Sequence, residues 1–504
     1  EYRDTVFIGN PVTGIVNHDR LEATGSSFVA IEQPDFITCD DPWFRPVDLK
    51  LAPDGSLYIL DFYNKIIGHY EVPLKHPGRD RFRGRIWRVV YTGADGQAPP
   101  PRKMPDLAKL PTDELIEKLG DANLTVRVLA SEELVDRQHP PSAEQLLPAD
   151  SSDESVWRRA HGLWILERTA KGGLTDEQIG RLGQDASRVV RVHLMKALAE
   201  RADWTSSQLD LAGLVRGKLD DDDAFVRRAA ADALGRHPMS ESVEPLLKLW
   251  ATTPSEDSHL IHVVRMALRD HLLSVGIYAK VAPLAAANAD YSTRLADVSL
   301  GVHTPEAAEF LFGWLPKGPK TTDQLHEYAR ETARWLPEAK LPELCVWAEH
   351  RGKESLPLAR DLALSLYRSA QERKLTLPES YLATATRTGG ALLAKSEIWL
   401  VQSGIEMARE MRLKPLYERL ATLAAPEAKF PDLRAAAIDA CVVNDAERSV
   451  PLLSQILGSV AEPAALRQKA ASALANIDIP RARQELVKHL RLASDRLAIE
   501  IAAG

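Results

Sequence analysis

Residues 41–90, DPWFRPVDLKLAPDGSLYILDFYNKIIGHYEVPLKHPGRDRFRGRIWRVV, decide how the front of this chain folds. Val47, Leu49 and Leu51 alternate with Asp48 and Lys50, the period of a half-buried strand. Pro53, Asp54 and Gly55 supply a tight turn, and residues 56–60 (SLYIL) alternate back as the hairpin partner. After a polar loop, residues 85–90 (RIWRVV) form another strand. A few strands with one apolar face do not hold together in water without neighbours to cover that face. The meander has the pattern of the closing blade of a β-propeller, so the front of the chain reads as an incomplete part of something larger.

The whole chain has 504 residues, too many for one ordinary core. Its 45% apolar and 27% charged content is that of a soluble globular protein. A net charge of −8, spread along the length, gives no reason to expect nucleic-acid binding. No run of about 18 apolar residues is present to span a membrane. The chain opens on Glu1 with no charged-then-apolar leader, and this reads as an internal or processed piece. Cys39, Cys345 and Cys441 lie far apart without a C-x-x-C pair, which excludes a thiolate zinc site, a disulfide framework and a covalent c-type haem. Each is expected to be a buried small hydrophobe.

Composition divides the chain into residues 1–93, rich in Gly, Pro, Asp and aromatics; a Pro/Gly-rich linker over 94–110; and residues 111–504, rich in Ala, Leu, Arg and Glu at helical spacing. The last region repeats. Arg127, Arg158, Arg191, Arg227, Arg265, Arg434 and Arg467 are each followed seven residues later by an apolar residue. The first five lie 31 to 38 residues apart, and Asp121, Asp185 and Asp221 precede their arginines by six. A period of roughly 30 to 40 residues with two amphipathic helices per unit is the signature of an α-solenoid. The Asp is expected to cap the second helix, and the Arg to reach the Asp of an adjacent repeat. Ala229, Ala230, Ala231 and Ala233 let neighbouring helices approach closely. Residues 111–504 resemble HEAT repeats, with degenerate copies between 280 and 420 punctuated by Pro305, Pro316, Pro319, Pro337, Pro342 and Pro357. An apolar pattern begins at Ser494 and stops at Gly504 without a polar capping helix, so the chain is expected to be cut at both ends. The fold class is therefore mostly α and multidomain: a HEAT-like solenoid preceded by a few antiparallel strands from the C-terminal part of a β-propeller.

The words GNPVTGIVNHDRL (9–21), WFRPVDLKLAPDGSLYILDFY (43–63), IIGHYEVPLKHPGRDR (66–81) and GRIWRVVY (84–91) resemble the membrane-bound dehydrogenase family of planctomycete-type bacteria. That family is a branch of the quinoprotein glucose and sorbosone dehydrogenase-like propellers, in which a propeller precedes HEAT-like repeats and, often, a cytochrome domain. The resemblance implies a periplasmic or secreted protein, possible association with a membrane, and oxidation of a sugar or alcohol. Pyrroloquinoline quinone and calcium are the implied cofactors, with haem c only if a cytochrome domain follows. In such enzymes the first arginine of an R-x-R-D run contacts the quinone carboxylates; the matching position is Arg45, and the second arginine is Val47 here.

Four residues stand out as candidates. Arg45, at a strand entry, has the geometry for pairing with a carboxylate or quinone oxygen, or for bracing its loop against Asp41 or Asp48. Asp61 suits a hard cation, or equally the amides of a turn, and Tyr63 beside it suits a cofactor or substrate hydroxyl. His18, between Asn17 and Asp19, suits a proton acceptor, although a lone loop histidine is more often structural. Four other features carry bland readings. Arg79, Arg81, Arg83, Arg85 and Arg88 read as a salt-bridged domain junction rather than an anion site. Asp220, Asp221, Asp222 and Asp223 lack the spacing of a calcium loop and read as an inter-repeat turn. His259 and His262 read as a helix face, and His69 and His76 have no metal-ligand logic.

Two functions follow from this reading. One is a fragment of a quinoprotein-like oxidoreductase, inactive by itself, whose solenoid docks a protein partner or cytochrome electron acceptor. The alternative is a non-catalytic protein–protein interaction scaffold.

Overall fold

The computed structural model describes residues 5–68, 71–93, 95–98, 100–137, 141–148, 153–169, 173–205, 207–318 and 321–490. The chain divides into two compact units, residues 1–277 and 278–504.

The first unit opens with two antiparallel sheets. One contains β1 (Thr5–Asn10), β2 (Ile15–Thr24) and β3 (Ser27–Thr38) in that order. The other contains β4 (Pro46–Leu51), β5 (Leu57–Asp61) and β6 (Arg85–Val89), the strands expected from alternation. Strands β1 and β2 had no strong alternation to announce them, because the middle of β2 carries Asn17, His18, Asp19 and Arg20 in succession. The β2–β3 hairpin turns through Gly25 and Ser26 between the paired Thr24 and Ser27. Gly25 has φ +56, a left-handed conformation that glycine adopts without strain. The two sheets share a small core: Val16, Phe44 and Ile59 are buried, with Phe7, Phe36, Leu49, Leu57 and Val89 packed around them. Full burial contributes roughly 1.5–3 kcal/mol per large apolar side chain, little to order six strands. Further packing is needed, and helices provide it.

The helices come in pairs. Helix α1 (Thr112–Lys118) precedes α2 (Leu124–Asp136), α3 (Ala143–Leu146) precedes α4 (Asp153–Thr169), and α5 (Asp176–Gly183) precedes α6 (Arg188–Glu200). The same plan gives α7 (Leu211–Gly217) with α8 (Ala224–Arg236), and α9 (Val243–Thr252) with α10 (Ser258–Leu272). The second helices α2, α4, α6, α8 and α10 pack side by side as one layer. Close approach depends on small residues, as expected: Ala229, Ala230, Ala231 and Ala233 are all buried.

The capping expectation is corrected in detail. Asn123, Ser187 and Asp223 are the N-caps of α2, α6 and α8, accepting backbone amides of the first turn. Asp121, Asp185 and Asp221 lie two residues earlier, where each accepts the backbone N–H of its cap residue at 2.8–3.1 Å. Asp185 and Asp221 also form rungs of the predicted ladder, whereas Asp121 pairs with Arg102, and Arg127 and Arg227 donate to the Asp121 and Asp221 backbone carbonyls of their own repeats. Arg191 pairs with Asp221 of the next repeat at 2.9 Å, and Arg159 pairs with Asp185 at 2.8 Å. In that copy Arg158 was the expected rung; instead it donates to the Gln145 carbonyl at 3.0 Å, and the buried neighbour Arg159 takes the role. One residue is about 100° of helix rotation, enough to turn a side chain from the inter-repeat seam to the flank.

The second unit continues with helices α11 (Ile277–Ala287), α12 (Ala289–Ser299), α13 (Pro305–Trp314), α14 (Thr322–Trp335), α15 (Leu341–Gly352) and α16 (Leu356–Glu372). It ends with α17 (Glu379–Leu393), α18 (Ile398–Glu410), α19 (Tyr417–Ala424), α20 (Arg434–Asn444), α21 (Ala446–Gly458), α22 (Ala464–Ala475) and α23 (Pro480–Leu490). Again one layer forms from α14, α16, α18, α20 and α22. Pro305, Pro342 and Pro357 occupy first-turn positions of α13, α15 and α16, where a missing N–H costs nothing. In place of Arg–Asp rungs, Arg434 makes a buried bidentate pair with Glu462, both contacts 2.7 Å. The pattern from Ser494 onward lies outside the described residues.

Candidate functional site

Three of the four candidates converge where β4 begins and β5 ends. The Asp61 carboxylate is 3% exposed. Its Oδ1 accepts the backbone N–H of Arg45 at 2.8 Å and of Tyr63 at 2.7 Å, and its Oδ2 accepts Trp87 Nε1 at 3.0 Å. Asp61 thereby fastens the entry of β4, the loop after β5 and a side chain of β6 to one point. Arg45 extends the same fastening. Its Nε donates to the Asn64 carbonyl at 3.0 Å, and its terminal nitrogens donate to the carbonyls of Val12 and Lys65 at 3.2 Å. Neither Asp41 nor Asp48 is its partner: Asp41 accepts the Trp43 amide, and Asp48 pairs with Lys50. Tyr63 has φ 46 and sits between Trp43, stacked at 5.6 Å, and the Arg85 guanidinium, 3.0 Å from the ring centroid.

His18 lies on the first sheet. It pairs in register with Phe7, and the two ring centroids are 5.1 Å apart. Phe36 adds a further ring at 4.4 Å from Phe7, so the imidazole stands in an aromatic cluster.

These residues do not fit a quinone and calcium. The guanidinium of Arg45 is committed to three carbonyls, and the carboxylate of Asp61 accepts three donors inside the protein. Among the described residues, no group of three or more His, Cys, Asp or Glu stands close enough to hold a metal ion. The arrangement is a brace, and the Asx alternative for Asp61 is the one found.

Asp223 caps α8 and Asp221 receives Arg191, so the acidic run is an inter-repeat turn. His259 and His262 are exposed on α10. His76 Nδ1 accepts the Gly78 amide at 3.0 Å, and His69 lies outside the described residues. Cys345 and Cys441 are buried, and burial pushes both thiols up to about 12. Cys39 is exposed, contrary to expectation, because it lies just past the end of β3.

The expected arginine-rich junction is also corrected. Arg83 pairs with Asp80 and Arg88 with Asp54, both within the β part. Other residues join the strands to the helices. Asn123 Nδ2 donates to the Ala52 carbonyl at 2.8 Å, and Thr125 Oγ1 donates to the Leu51 carbonyl at 2.7 Å. Arg102 pairs with Asp121 at 2.8 Å and donates to the Pro53 carbonyl at 3.3 Å. The turn around Asp54 is thus held against the start of α2. At the far end of the helical layer, Asp257 accepts Ser26 N at 2.8 Å and Ser26 Oγ at 2.7 Å. Phe28 packs against Phe225 with ring centroids 5.0 Å apart and planes tilted by 47°, and Arg188 lies over the Phe225 ring at 4.8 Å. Sequence reasoning missed this contact; the signal available was a Thr-Gly-Ser turn and an Asp-Ser helix start, with nothing in either to name its partner.

Leu124, Val128, Leu129, Trp157 and Met266 are exposed on α2, α4 and α10. The Arg127 guanidinium stands 4.5 Å from the Trp157 ring centroid and bridges α2 to α4.

Residues 1–93 match the model of DUF7133, a domain of unknown function. The helical region has a described counterpart. Residues 176–268 match the model of HEAT repeats. No curated protein matches the chain. Solved structures that it resembles include Kap121p bound to RanGTP, at 12% identity and TM-score 0.41, over 77% of this chain and 48% of that one. Importin beta in an ammonium sulfate condition matches at 14% identity and TM-score 0.32, over 78% of this chain and 62% of that one. A homology model of the AP-3 complex matches at 13% and TM-score 0.33, covering 77% and 73% respectively. The chain spans about half the length of the first of these.

Proposed function

We propose that this chain is a protein-interaction scaffold that binds a partner protein on the side-by-side helices of its HEAT repeats. The carrying observation is the layer α2, α4, α6, α8 and α10, with Leu129 and Trp157 exposed on it. A rigid array with exposed aromatic and aliphatic anchors offers the extended surface that repeat proteins use for recognition. Nothing in this reading asks the β part to do chemistry, which agrees with the committed hydrogen bonds of Arg45 and Asp61. In the oxidoreductase reading those two groups would have to leave their partners to meet a cofactor.

The test is cross-linking of the intact chain in its source cells, followed by affinity measurement with the purified partner. Leu129→Glu with Trp157→Ala is expected to weaken that affinity tenfold or more, about 1.4 kcal/mol per factor of ten. Affinity unchanged by both substitutions contradicts the proposal.

A further inference from the structure

Beside the brace lies a cleft of about 580 Å³ between the end of β5 and the start of β6. Its apolar lining is Phe62, Leu74 and Phe82, all exposed, Phe82 to 94%. A fully solvated phenylalanine next to two other large apolar side chains is a surface without its partner.

The polar lining is more specific. Asn64 is 2% exposed; its Nδ2 donates to the Asp80 carbonyl at 2.7 Å, while its Oδ1 is buried and accepts nothing. Exchanging the two amide atoms would set oxygen against oxygen, so the vacant atom is the acceptor. Arg79 holds the loop by donating to the carbonyls of Ile66, Gly68 and Val72, yet its Nε is buried and donates to nothing. Two residues of the lining thus each carry a buried unsatisfied polar atom, one an acceptor and one a donor, each costly to leave so. A peptide group that reached them would supply the complement of both, an N–H and a C=O.

Charge narrows the partner further. The Asp80 carboxylate is occupied by the amides of Phe82 and Arg83 and by the Arg83 side chain at 2.8 Å. Arg81 meets no carboxylate among the described residues, and Arg79 is spent on carbonyls, so the lining is net positive.

We propose that this cleft binds an extended acidic segment of a partner protein that carries one large apolar side chain. The inference rests on the scaffold reading and adds a second contact to it. Apolar packing on Phe62, Leu74 and Phe82 supplies affinity, Asn64 and Arg79 fix the backbone, and Arg81 selects acidic neighbours. A nucleic-acid strand would also suit arginine and aromatic rings, but it offers no regular N–H and C=O pair and would meet a chain of net charge −8.

The experiment is fluorescence anisotropy of the full chain with the labelled peptide GEDFEDG, alongside GEDAEDG, GKKFKKG and a single-stranded decathymidylate. Saturable binding of the first peptide is expected, weaker by tenfold or more for the alanine and lysine peptides. Phe82→Ala and Arg81→Glu, both at exposed positions, are each expected to weaken it by a similar factor; Val460→Ala is expected to leave it unchanged. No saturation up to about 1 mM of the acidic peptide, equal binding of the lysine peptide, tighter binding of the oligonucleotide, or indifference to both cleft variants overturns the proposal. Leu129→Glu with Trp157→Ala is expected to spare peptide binding, so the cleft and the helical surface fail independently.

Discussion

Ser26 and Asp257 stand 231 residues apart in the chain and share two hydrogen bonds, Ser26 Oγ to Oδ1 at 2.7 Å and Ser26 N to Oδ2 at 2.8 Å. Asp257 is also the N-cap of α10, so one buried carboxylate starts a helix and holds a hairpin. The sheets, too small to stand on their own core, are in this way built into the first helical unit.

Removing this carboxylate should release the hairpin before it unfolds the helices. Asp257→Ala is expected to cost about 1–3 kcal/mol and to abolish hydrogen-exchange protection of the β2–β3 turn. Gly25→Ala should act similarly, because its Cβ would lie 2.6 Å from Asp257 Oδ2 and its φ is +56. Unchanged protection in both variants would mean that the turn is held by other contacts.

Arg45 is expected to behave as a brace. Arg45→Met removes the donor from three loop carbonyls and should lower stability by about 1–2 kcal/mol, read by urea unfolding of the strands. Arg45→Lys should recover little, since an ammonium does not span the three acceptors as the guanidinium does. Wild-type stability in Arg45→Met would return this side chain to the list of free functional groups.

Acid should weaken the ladder in a defined range. Burial pushes the Asp221 carboxyl up, but Arg191, the Asp223 amide, Asp222 and Lys218 outweigh it and hold the group at about 2. A folded pKa below the unfolded value of 3.8 contributes stability above that value and loses it as pH falls toward 2. The contribution is about 2 kcal/mol at neutral pH. Asp221→Asn should therefore flatten the acid limb of the stability curve between pH about 4 and 2, and an unchanged limb would contradict the ladder.

Thiol labelling should separate the cysteines. Cys39 is exposed and should react with a disulfide reagent in the native protein, whereas Cys345 and Cys441 are buried with raised pKa values and should react only after denaturation. More than one fast thiol per chain would show that a repeat core opens readily.

The helical pairs and the β4–β5–β6 meander were legible because their periodicity is local. Asp121, Asp185 and Asp221 announced the repeat, but their position relative to the cap was set by a turn that spacing alone does not distinguish. Arg158 and Arg159 are equal as letters; which one meets Asp185 depends on helix rotation. Asp61 and Tyr63 are legible as neighbours in one loop, but that Arg45 joins them, with its hydrogen bonds committed, depends on where loop carbonyls turn. Ser26 and Asp257 carried no mark of one another, since a tertiary contact between two short polar side chains leaves no period. Asn64 was hidden for the same reason: only burial shows that its oxygen is left without a donor.

Hydrogen exchange of the full chain, alone and bound to a purified partner recovered by cross-linking, decides whether this is a scaffold. Protection is expected on α2 and α4 around Leu129 and Trp157, with no change at Arg45, Asp61 and Tyr63. Protection confined to those three residues, together with reduction of an artificial electron acceptor when quinone, calcium and a sugar or alcohol are supplied, would contradict it.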